Sequence, residues 1–257
     1  MECIEKIGEK KLAADNAEVS VTAGLGVAES APDNERVPDM TPMTFDPCYK
    51  TVIILERHGE SLGNAERTYH GHSQIGLSER GVIQAKRSAE YLANLKIDAI
   101  YSSDLKRAYD TAAEHLAYHK ELEIVPRECL REVNVGRWQG MKIVDIIEQY
   151  GEYFTVEWKE QFGTFRGAPE GESVPDAANR FFAALLEVAK ECEGKTVLVA
   201  SHAAVIRAAY AKIKGIAPER VAAELPFPNN ASFTVVYFDG EKLVPGEFSH
   251  DGHLADT

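Results

Sequence analysis

The fold is decided by the stretch Thr51-Val-Ile-Ile-Leu-Glu-Arg-His-Gly-Glu-Ser61, in which an apolar run changes abruptly into charged and polar residues. The run Thr51–Glu56 is rich in β-branched residues, a composition that predicts a buried strand. A second stretch, Thr196–Ser201, is similarly apolar and is followed at once by His202. The sequence therefore predicts two buried strands, each of which is followed by a histidine at its carboxyl end.

Strand and helix patterns alternate along the rest of the chain. We predict helices that begin near Ser78, Leu105, Ser173 and Val205, strands at 99–102 and 123–126, and a closing hairpin at 231–244. Such alternation is typical of a mostly parallel sheet with helices on both faces. The predicted fold class is α/β, a three-layer α/β/α sandwich with a mostly parallel central sheet. The aromatic-rich segment 136–175 is predicted to be a small insertion over the site.

The composition and net charge of the chain argue against nucleic-acid and membrane partners. The chain of 257 residues has a formal net charge of -13, so bulk electrostatics do not favour a nucleic-acid partner. No apolar stretch approaches the roughly 18 residues that span a bilayer, and the N-terminus lacks the order of a secretory signal. We therefore expect a cytoplasmic protein with no membrane partner. The scattered cysteines form no C-x-x-C pair and predict reduced thiols, while the oligomeric state is undetermined.

The N-terminal segment differs from the rest of the chain. Residues 1–48 are polar and acidic, show no sustained periodicity, and carry the prolines Pro32, Pro38, Pro42 and Pro47. Such composition predicts a disordered N-terminal extension over residues 1–48. Residues 49–257 are predicted to form one folded domain that carries the catalytic residues.

Side chains that can do chemistry follow the predicted strand ends. His58 and His202 each come directly after an apolar strand, and Arg107 begins a helix after a third. Ligands of parallel sheets bind beyond the carboxyl ends of the strands. We therefore expect these three side chains to lie close together at that edge of the sheet, with the two imidazoles face to face. Arg57 and Arg107 would suit phosphoryl oxygens, and such cations lower a histidine pKa, which keeps His58 neutral and nucleophilic. Glu132 would supply the proton that a leaving alkoxide needs.

Five motifs, in this order, resemble the histidine phosphatase superfamily, in its phosphoglycerate-mutase-like branch. They are R-H-G-E-S with Asn64, G-L-S-E-R-G-V-I-Q-A from Gly76, S-S-D-L-K-R-A from Ser102, L-R-E-V-N-V-G-R-W-Q-G from Leu130 and S-H-A-A-V-I-R from Ser201. The resemblance covers the chain from about Thr51 onward. It implies the α/β sandwich that the strand and helix patterns predict independently.

The resemblance also implies a role for each matching residue. His58 would be the phosphorylated nucleophile, and Glu132 would donate a proton and later help water attack the phosphohistidine. The phosphoryl group would be bound by Arg57, Arg107, His202, Asn64, Ser61 and the backbone N–H of Ala203. The implied enzyme is a metal-independent phosphatase of the histidine acid type, with no cofactor, acting on a small phosphorylated substrate.

Phosphatases and mutases of this family differ in how they bind a substrate carboxylate. The mutases carry a lysine where this chain has Ile143, a tyrosine where it has Val135, and an arginine pair after a tryptophan. Here Trp158 is followed by Lys159-Glu160. Compared with the arginine pair of the mutases, this segment has one cation fewer and one additional anion. A phosphomonoester hydrolase is therefore favoured. The alternatives are a cofactor-dependent phosphoglycerate mutase and a non-catalytic module that binds a phosphorylated ligand, and the physiological substrate is open.

Two histidines outside these motifs have a spacing that a metal site can use. His115 and His119 lie four residues apart on a predicted helix, but no third ligand follows at a comparable spacing. A solvent-exposed helix face is the favoured interpretation. No metal ligands are predicted.

Overall fold

A computed structural model of the chain describes residues 38–255 and residue 257. The strands are β1 (Thr51–Arg57), β2 (Ala99–Ser102), β3 (Ile124–Pro126), β4 (Thr196–Ser201), β5 (Phe233–Phe238) and β6 (Leu243–Pro245). The helices are α1 (Leu62–Glu66), α2 (Glu79–Tyr91), α3 (Lys106–Glu114), α4 (Ile143–Tyr150), α5 (Val174–Glu191), α6 (Ala203–Lys214) and α7 (Val221–Glu224). Within these residues no helix is both long and apolar enough to cross a bilayer.

A six-stranded sheet in the order β3-β2-β4-β1-β5-β6 forms the centre of the fold. The strands β3, β2, β4 and β1 run parallel, while β5 and β6 form an antiparallel hairpin beside β1. Ile53 and Leu55 share a hydrophobic cluster with α5 and α6, whereas Val52 and Ile54 share another with α2 and α3. Alternate residues of β1 thus face opposite helical layers. The predicted three-layer α/β/α sandwich with a mostly parallel sheet is confirmed.

The helix boundaries follow side-chain caps where the sequence offers them. Ser78 and Ser173 cap α2 and α5, because each side chain accepts from a backbone N–H three residues on. Helix α6 begins at Ala203, two residues before the predicted start at Val205. The reason is that His202 has an extended backbone and occupies the N-cap position directly after β4.

The aromatic segment between β3 and α5 is mostly core. Trp138, Phe154 and Phe162 are fully buried. The Trp138 ring meets those of Phe154 and Trp158 edge to face, with centroids 5.3 and 6.2 Å away. Such pairs stabilise the fold beyond the burial of their area. Trp158 also borders the cavity at the carboxyl ends of β1 and β4, so the insertion lines the site while it forms core.

The predicted disordered extension falls largely on residues 1–37, which lie outside the described residues. Residues 38–48 form no helix or strand. Met43 and Phe45 nevertheless pack against the cluster beside α2 and α3. The Tyr91 hydroxyl also donates to the Thr41 carbonyl at 2.8 Å. Residues 38–48 therefore lie against the folded domain, and the domain boundary at residue 49 stays a prediction.

Candidate active site

The carboxyl ends of β1 and β4 bring the two predicted histidines together. Arg57 and Ser201 are partners in the parallel register, and the His58 backbone N–H donates to the Ser201 carbonyl at 3.0 Å. His58 and His202 therefore lie side by side, with ring centroids 5.1 Å apart. The rings meet edge to face at 63°, and not face to face as expected. The cause is a hydrogen bond of 2.8 Å between His202 Nε2 and the Ser103 hydroxyl.

The hydrogen bonds of His58 fix its tautomer. Nδ1 lies 2.6 Å from the Gly59 carbonyl, which can only accept, so Nδ1 carries the proton. Nε2 then keeps its lone pair and accepts from Arg107 Nε at 3.2 Å. Burial, together with the cations of Arg107 and Arg57, holds the pKa of His58 well below its ordinary value. The buried ring is a neutral imidazole whose Nε2 can act as a nucleophile.

Two buried guanidinium groups supply positive charge beside His58. Arg107 is anchored by donation to two loop carbonyls at 2.8 and 3.1 Å, and Arg57 by donation to one at 2.6 Å. Burial lowers the pKa of each arginine to about 10, and the Glu132 carboxylate offsets part of that lowering. Both groups stay charged at neutral pH. Within the described residues the buried Arg57 Nε has no hydrogen-bond partner, so a donor beside His58 is left unsatisfied.

His202 is more enclosed than His58. Its ring is fully buried, and the residue does not border the cavity. Burial, with the charge of Arg107 next in size, lowers the pKa of His202 well below its ordinary value. Among the described residues its Nδ1 has no hydrogen-bond partner. The structure brings the two histidines together, and the role of His202 stays a prediction.

Helix α1 carries two of the predicted phosphate-binding residues. The Ser61 hydroxyl accepts from the Asn64 backbone N–H at 3.1 Å, and Asn64 Oδ1 accepts from the Ser61 backbone N–H at 3.1 Å. This capping box fixes the first turn of α1 directly after the His58 loop. Both residues border the cavity. Ser61 acts mainly as the cap, while Asn64 presents an amide to the cavity.

Gly59 allows the His58 loop to pack closely against α2. A Cβ on Gly59 would lie 2.4 Å from the Gly81 carbonyl oxygen, and a Cβ on Gly81 would lie 1.9 Å from that of Glu60. Gly59 is not among the glycines with positive φ. Gly59 and Gly81 thus permit close approach of two backbones directly after His58.

Glu132 lies beside the first turn of α6. Its carboxylate accepts from the backbone N–H groups of Val133 (2.9 Å), Ala204 (3.1 Å) and Val205 (3.2 Å). Unpaired N–H groups at a helix N-terminus bind anions in this way. Arg180 steadies the loop by donating to the Glu132 carbonyl at 3.2 Å. A carboxyl group is thus held next to the two buried arginines.

These side chains surround a cavity of about 410 Å³. The predicted site residues that border it are Arg57, His58, Ser61, Asn64, Arg107, Glu132 and Ala203. Apolar residues border it as well, and these include Tyr69, Val135, Ile143, Trp158 and Phe227. The cavity therefore offers positive charge beside His58 and a mixed lining for the rest of a ligand, because Glu60, Arg67, Arg80 and Asp251 border it as well.

Sequence reasoning missed Asn230 and Tyr69. Asn230 borders the cavity and donates to the His58 carbonyl at 3.0 Å. Its only signal is an Asn-Asn pair before the last hairpin, a composition typical of turns. Tyr69 borders the cavity with its ring edge-on to Trp158, the centroids 6.1 Å apart. Burial raises the pKa of the Tyr69 hydroxyl, which keeps it protonated and able to donate.

The spaced histidines His115 and His119 do not lie on a solvent-exposed face, so that prediction is wrong. Both are buried, and His115 Nε2 lies 2.9 Å from Glu56 Oε2. The reason is that α3 and the turn after it pack this face against the sheet. Within the described residues no three His, Cys, Asp or Glu side chains are grouped as metal ligands.

Comparisons with known sequences agree with this geometry. The model of the histidine phosphatase superfamily (branch 1) matches residues 53–248. Phosphoserine phosphatase 1 of Hydrogenobacter thermophilus is 36% identical over 207 residues, which cover 79% of this chain and 94% of that protein. The metal-independent phosphoserine phosphatase of Arabidopsis thaliana is 34% identical over 208 residues, which cover 80% of this chain and 84% of that protein.

A comparison with solved structures finds a phosphatase of similar fold. A mycobacterial glucosyl-3-phosphoglycerate phosphatase, solved as a complex with VO3, aligns with a TM-score of 0.71 at 29% identity. The alignment covers 78% of this chain and 99% of that one. Sequence and fold therefore agree. The chain belongs to the histidine phosphatase superfamily (branch 1).

Proposed function

We propose that this chain is a phosphomonoester hydrolase that passes the phosphoryl group through a covalent phosphohistidine on His58. One observation carries the proposal: a buried neutral imidazole holds its Nε2 lone pair beside Arg57 and Arg107, at the charged end of the cavity. Phosphoryl transfer depends mainly on positioning and on stabilisation of charge, and this arrangement supplies both. The relatives that are named as phosphatases support the same reaction class.

In the first step His58 Nε2 attacks phosphorus in line with the ester oxygen. The N–P bond forms as the P–O bond to the alcohol breaks. Glu132, which takes up a proton as the phosphomonoester binds, gives that proton to the leaving oxygen. The phosphoryl group displaces the Arg107 N–H from Nε2. The Arg107 guanidinium then binds nonbridging oxygens together with Arg57 and Asn64.

In the second step water attacks the phosphohistidine. Glu132, now ionised, accepts a proton from the water as the new O–P bond forms and the N–P bond breaks. The electron pair returns to His58 Nε2, and inorganic phosphate leaves. The backbone N–H of Ala203 donates to the phosphoryl oxygens in both steps. His202 donates through Nδ1, the ring nitrogen without a partner among the described residues, once the phosphoryl group lies against the His58 ring. Ser61 holds the helix that carries Asn64.

A hydrolase fits the cavity better than a mutase does. Val135 and Ile143 border the cavity at the positions where the mutases of this family carry a tyrosine and a lysine. Lys159 Nζ lies 5.5 Å from the centroid of the Phe154 ring, and Lys159 does not border the cavity. Apolar surface thus replaces groups that would hold a bisphosphate for reorientation. Water then competes successfully for the phosphoryl group.

The same geometry supports a reaction that needs no metal ion. Arg57 and Arg107 supply the positive charge that a metal would otherwise place on the phosphoryl oxygens. A cavity of about 410 Å³ suits a small phosphorylated metabolite. The names of the relatives make O-phosphoserine and glucosyl-3-phosphoglycerate the first compounds to test.

Release of inorganic phosphate tests the proposal. O-Phosphoserine, glucosyl-3-phosphoglycerate, other sugar phosphates and p-nitrophenyl phosphate are supplied with a chelator present, and we expect turnover that the chelator does not change. A parallel assay with 2,3-bisphosphoglycerate follows the interconversion of 2- and 3-phosphoglycerate. Interconversion faster than phosphate release would establish the mutase instead. Phosphate binding without any turnover would establish the non-catalytic module.

Arg107→Ala is expected to lower kcat/KM about 10²–10³-fold, the usual effect of losing one donor to developing charge. It should also move the acid limb of the pH profile. Burial and Arg107 hold the pKa of His58 well below its ordinary value, so Nε2 stays unprotonated into the acid range. Loss of the cation raises this pKa, and the acid limb moves to higher pH.

The measurement is kcat/KM against pH, which reports the free enzyme. Arg137→Ala is the matched control, because Arg137 is exposed, pairs with Glu170 and does not border the cavity. An acid limb that stays in place in folded Arg107→Ala protein would contradict the assigned cause of the low His58 pKa.

A further inference from the structure

We propose that Asn230 is a positioning residue that keeps the side-chain amide of Asn64 turned toward the phosphoryl group. The inference rests on the proposed function, in which Asn64 binds a nonbridging oxygen. Asn230 lies in the loop before β5 and borders the cavity. Its Nδ2 donates to the His58 carbonyl at 3.0 Å and to Asn64 Oδ1 at 3.4 Å.

The His58 carbonyl orients Asn230. A carbonyl oxygen can only accept, so the nitrogen of the Asn230 amide must face it. The next residue ties the same loop to β1, since the Ala231 N–H donates to the Arg57 carbonyl at 2.9 Å. The loop is therefore fixed against the end of β1. Its anchored amide directs a second N–H at Asn64.

Donors converge on the oxygen of the Asn64 amide. They come from the Ser61 backbone N–H (3.1 Å), the Ser61 hydroxyl (3.0 Å) and Asn230 Nδ2 (3.4 Å). Half a turn of the amide would set its NH₂ group against the N–H of Ser61 and the NH₂ of Asn230. Asn64 Nδ2 therefore keeps the other side, where no residue in the described part of the chain accepts from it. It is left to donate to a phosphoryl oxygen.

The contact between Asn230 and Asn64 is the longest of the three, so its loss should loosen the amide without unfolding the site. Asn230→Ala removes the donations to the His58 carbonyl and to Asn64 Oδ1. We expect it to weaken the binding of inorganic phosphate about 3- to 10-fold, the effect of one hydrogen bond between Asn64 and phosphate. Asn230→Leu keeps the approximate volume but removes the donor, and it should weaken binding to a similar extent. A residue that only filled space would tolerate leucine.

A double-mutant cycle with Asn64→Ala tests whether Asn230 acts through Asn64. The dissociation constant of inorganic phosphate is measured by titration calorimetry on the full chain, and thermal unfolding confirms that each variant is folded. Once residue 64 is alanine, Asn230→Ala should change the constant by less than about twofold. Asn229→Ala is the matched control, since Asn229 Nδ2 donates to Asp251 at 2.6 Å, and its effect should be equal in both backgrounds.

Equal weakening by Asn230→Ala in both backgrounds would overturn the inference, and so would wild-type phosphate binding in Asn230→Leu. The proposed function fails in a different way. Calorimetry needs no turnover. If the wild-type chain bound phosphate but hydrolysed no substrate, the hydrolase assignment would be wrong, while the role of Asn230 could still be tested by phosphate binding. Conversely, if the wild-type chain hydrolysed substrate but Asn64→Ala bound phosphate as tightly as the wild type, only the positioning role of Asn230 would be wrong.

Discussion

His58→Ala is expected to abolish turnover, with kcat reduced on the order of 10⁴-fold or more. The substitution removes the nitrogen that forms the bond to phosphorus. Arg57, Arg107 and Asn64 remain in place, so the affinity for inorganic phosphate should change far less than kcat. Initial rates with O-phosphoserine and p-nitrophenyl phosphate give the first quantity, and titration calorimetry gives the second. A large loss of kcat with little change in phosphate affinity indicates a lost nucleophile, whereas a loss of both indicates a damaged pocket.

His119→Gln is the matched control for this result. His119 is also a buried histidine, but it does not border the cavity, and its Nε2 has no partner among the described residues. We expect near wild-type turnover from the control. If His58→Ala remained folded and retained a substantial share of wild-type kcat, another group would have to be the nucleophile.

Glu132→Gln is expected to show the second large effect, because glutamine keeps the shape of the side chain but has no acidic proton. General acid catalysis contributes about 10²–10⁴-fold, and we expect that loss with O-phosphoserine, whose alkoxide must be protonated. p-Nitrophenolate leaves without a proton, so His58 should still be phosphorylated quickly by p-nitrophenyl phosphate. Water attack still needs the carboxylate. Stopped-flow absorbance should therefore record a burst of p-nitrophenolate followed by a slow steady state.

Glu60 and Glu128 are the rival acids near this segment. Glu60 borders the cavity, but its carboxylate accepts from the Ser78 hydroxyl at 2.7 Å. Glu128 pairs with Arg131 at 3.3 Å and does not border the cavity. For Glu60→Gln and for Glu128→Gln, we expect any loss of turnover to be the same with O-phosphoserine as with p-nitrophenyl phosphate. If Glu60→Gln showed a burst and Glu132→Gln did not, the proton donor would be Glu60 and not Glu132.

The part of the site that sequence could predict is the part that follows parallel strands. His58 and His202 come directly after apolar strands, and the carboxyl ends of adjacent parallel strands meet at one edge of the sheet. Arg107, at the start of the helix after β2, belongs to the same edge. Their convergence therefore follows from strand order and needs no knowledge of the loops.

The residues that sequence could not place depend on packing between distant segments. Asn230 reaches His58 because β5 pairs antiparallel with β1, which brings the preceding loop onto the β1 end. An Asn-Asn pair carries no information about that pairing. Tyr69 lies between motifs, and its position depends on rings of the aromatic insertion such as Trp158.

Buried polar pairs are the other limit of sequence patterns. Glu56 and His115 are each fully buried and bonded to one another, although charged residues are usually exposed. Helical spacing assigned His115 to a solvent-exposed face because a pattern cannot show which polar residues have partners. The ring orientation of His202 depends in the same way on its bond to Ser103.

Direct detection of the phosphoenzyme tests the central claim. The full chain is mixed with labelled substrate, quenched in alkali to preserve phosphorus–nitrogen bonds, and mapped by mass spectrometry and phosphorus NMR. We predict one phosphoryl group per active chain, on Nε2 of His58, that forms and decays as fast as the enzyme turns over. Phosphoryl label on another residue, or steady turnover with no labelled His58 at any time point, would contradict the account.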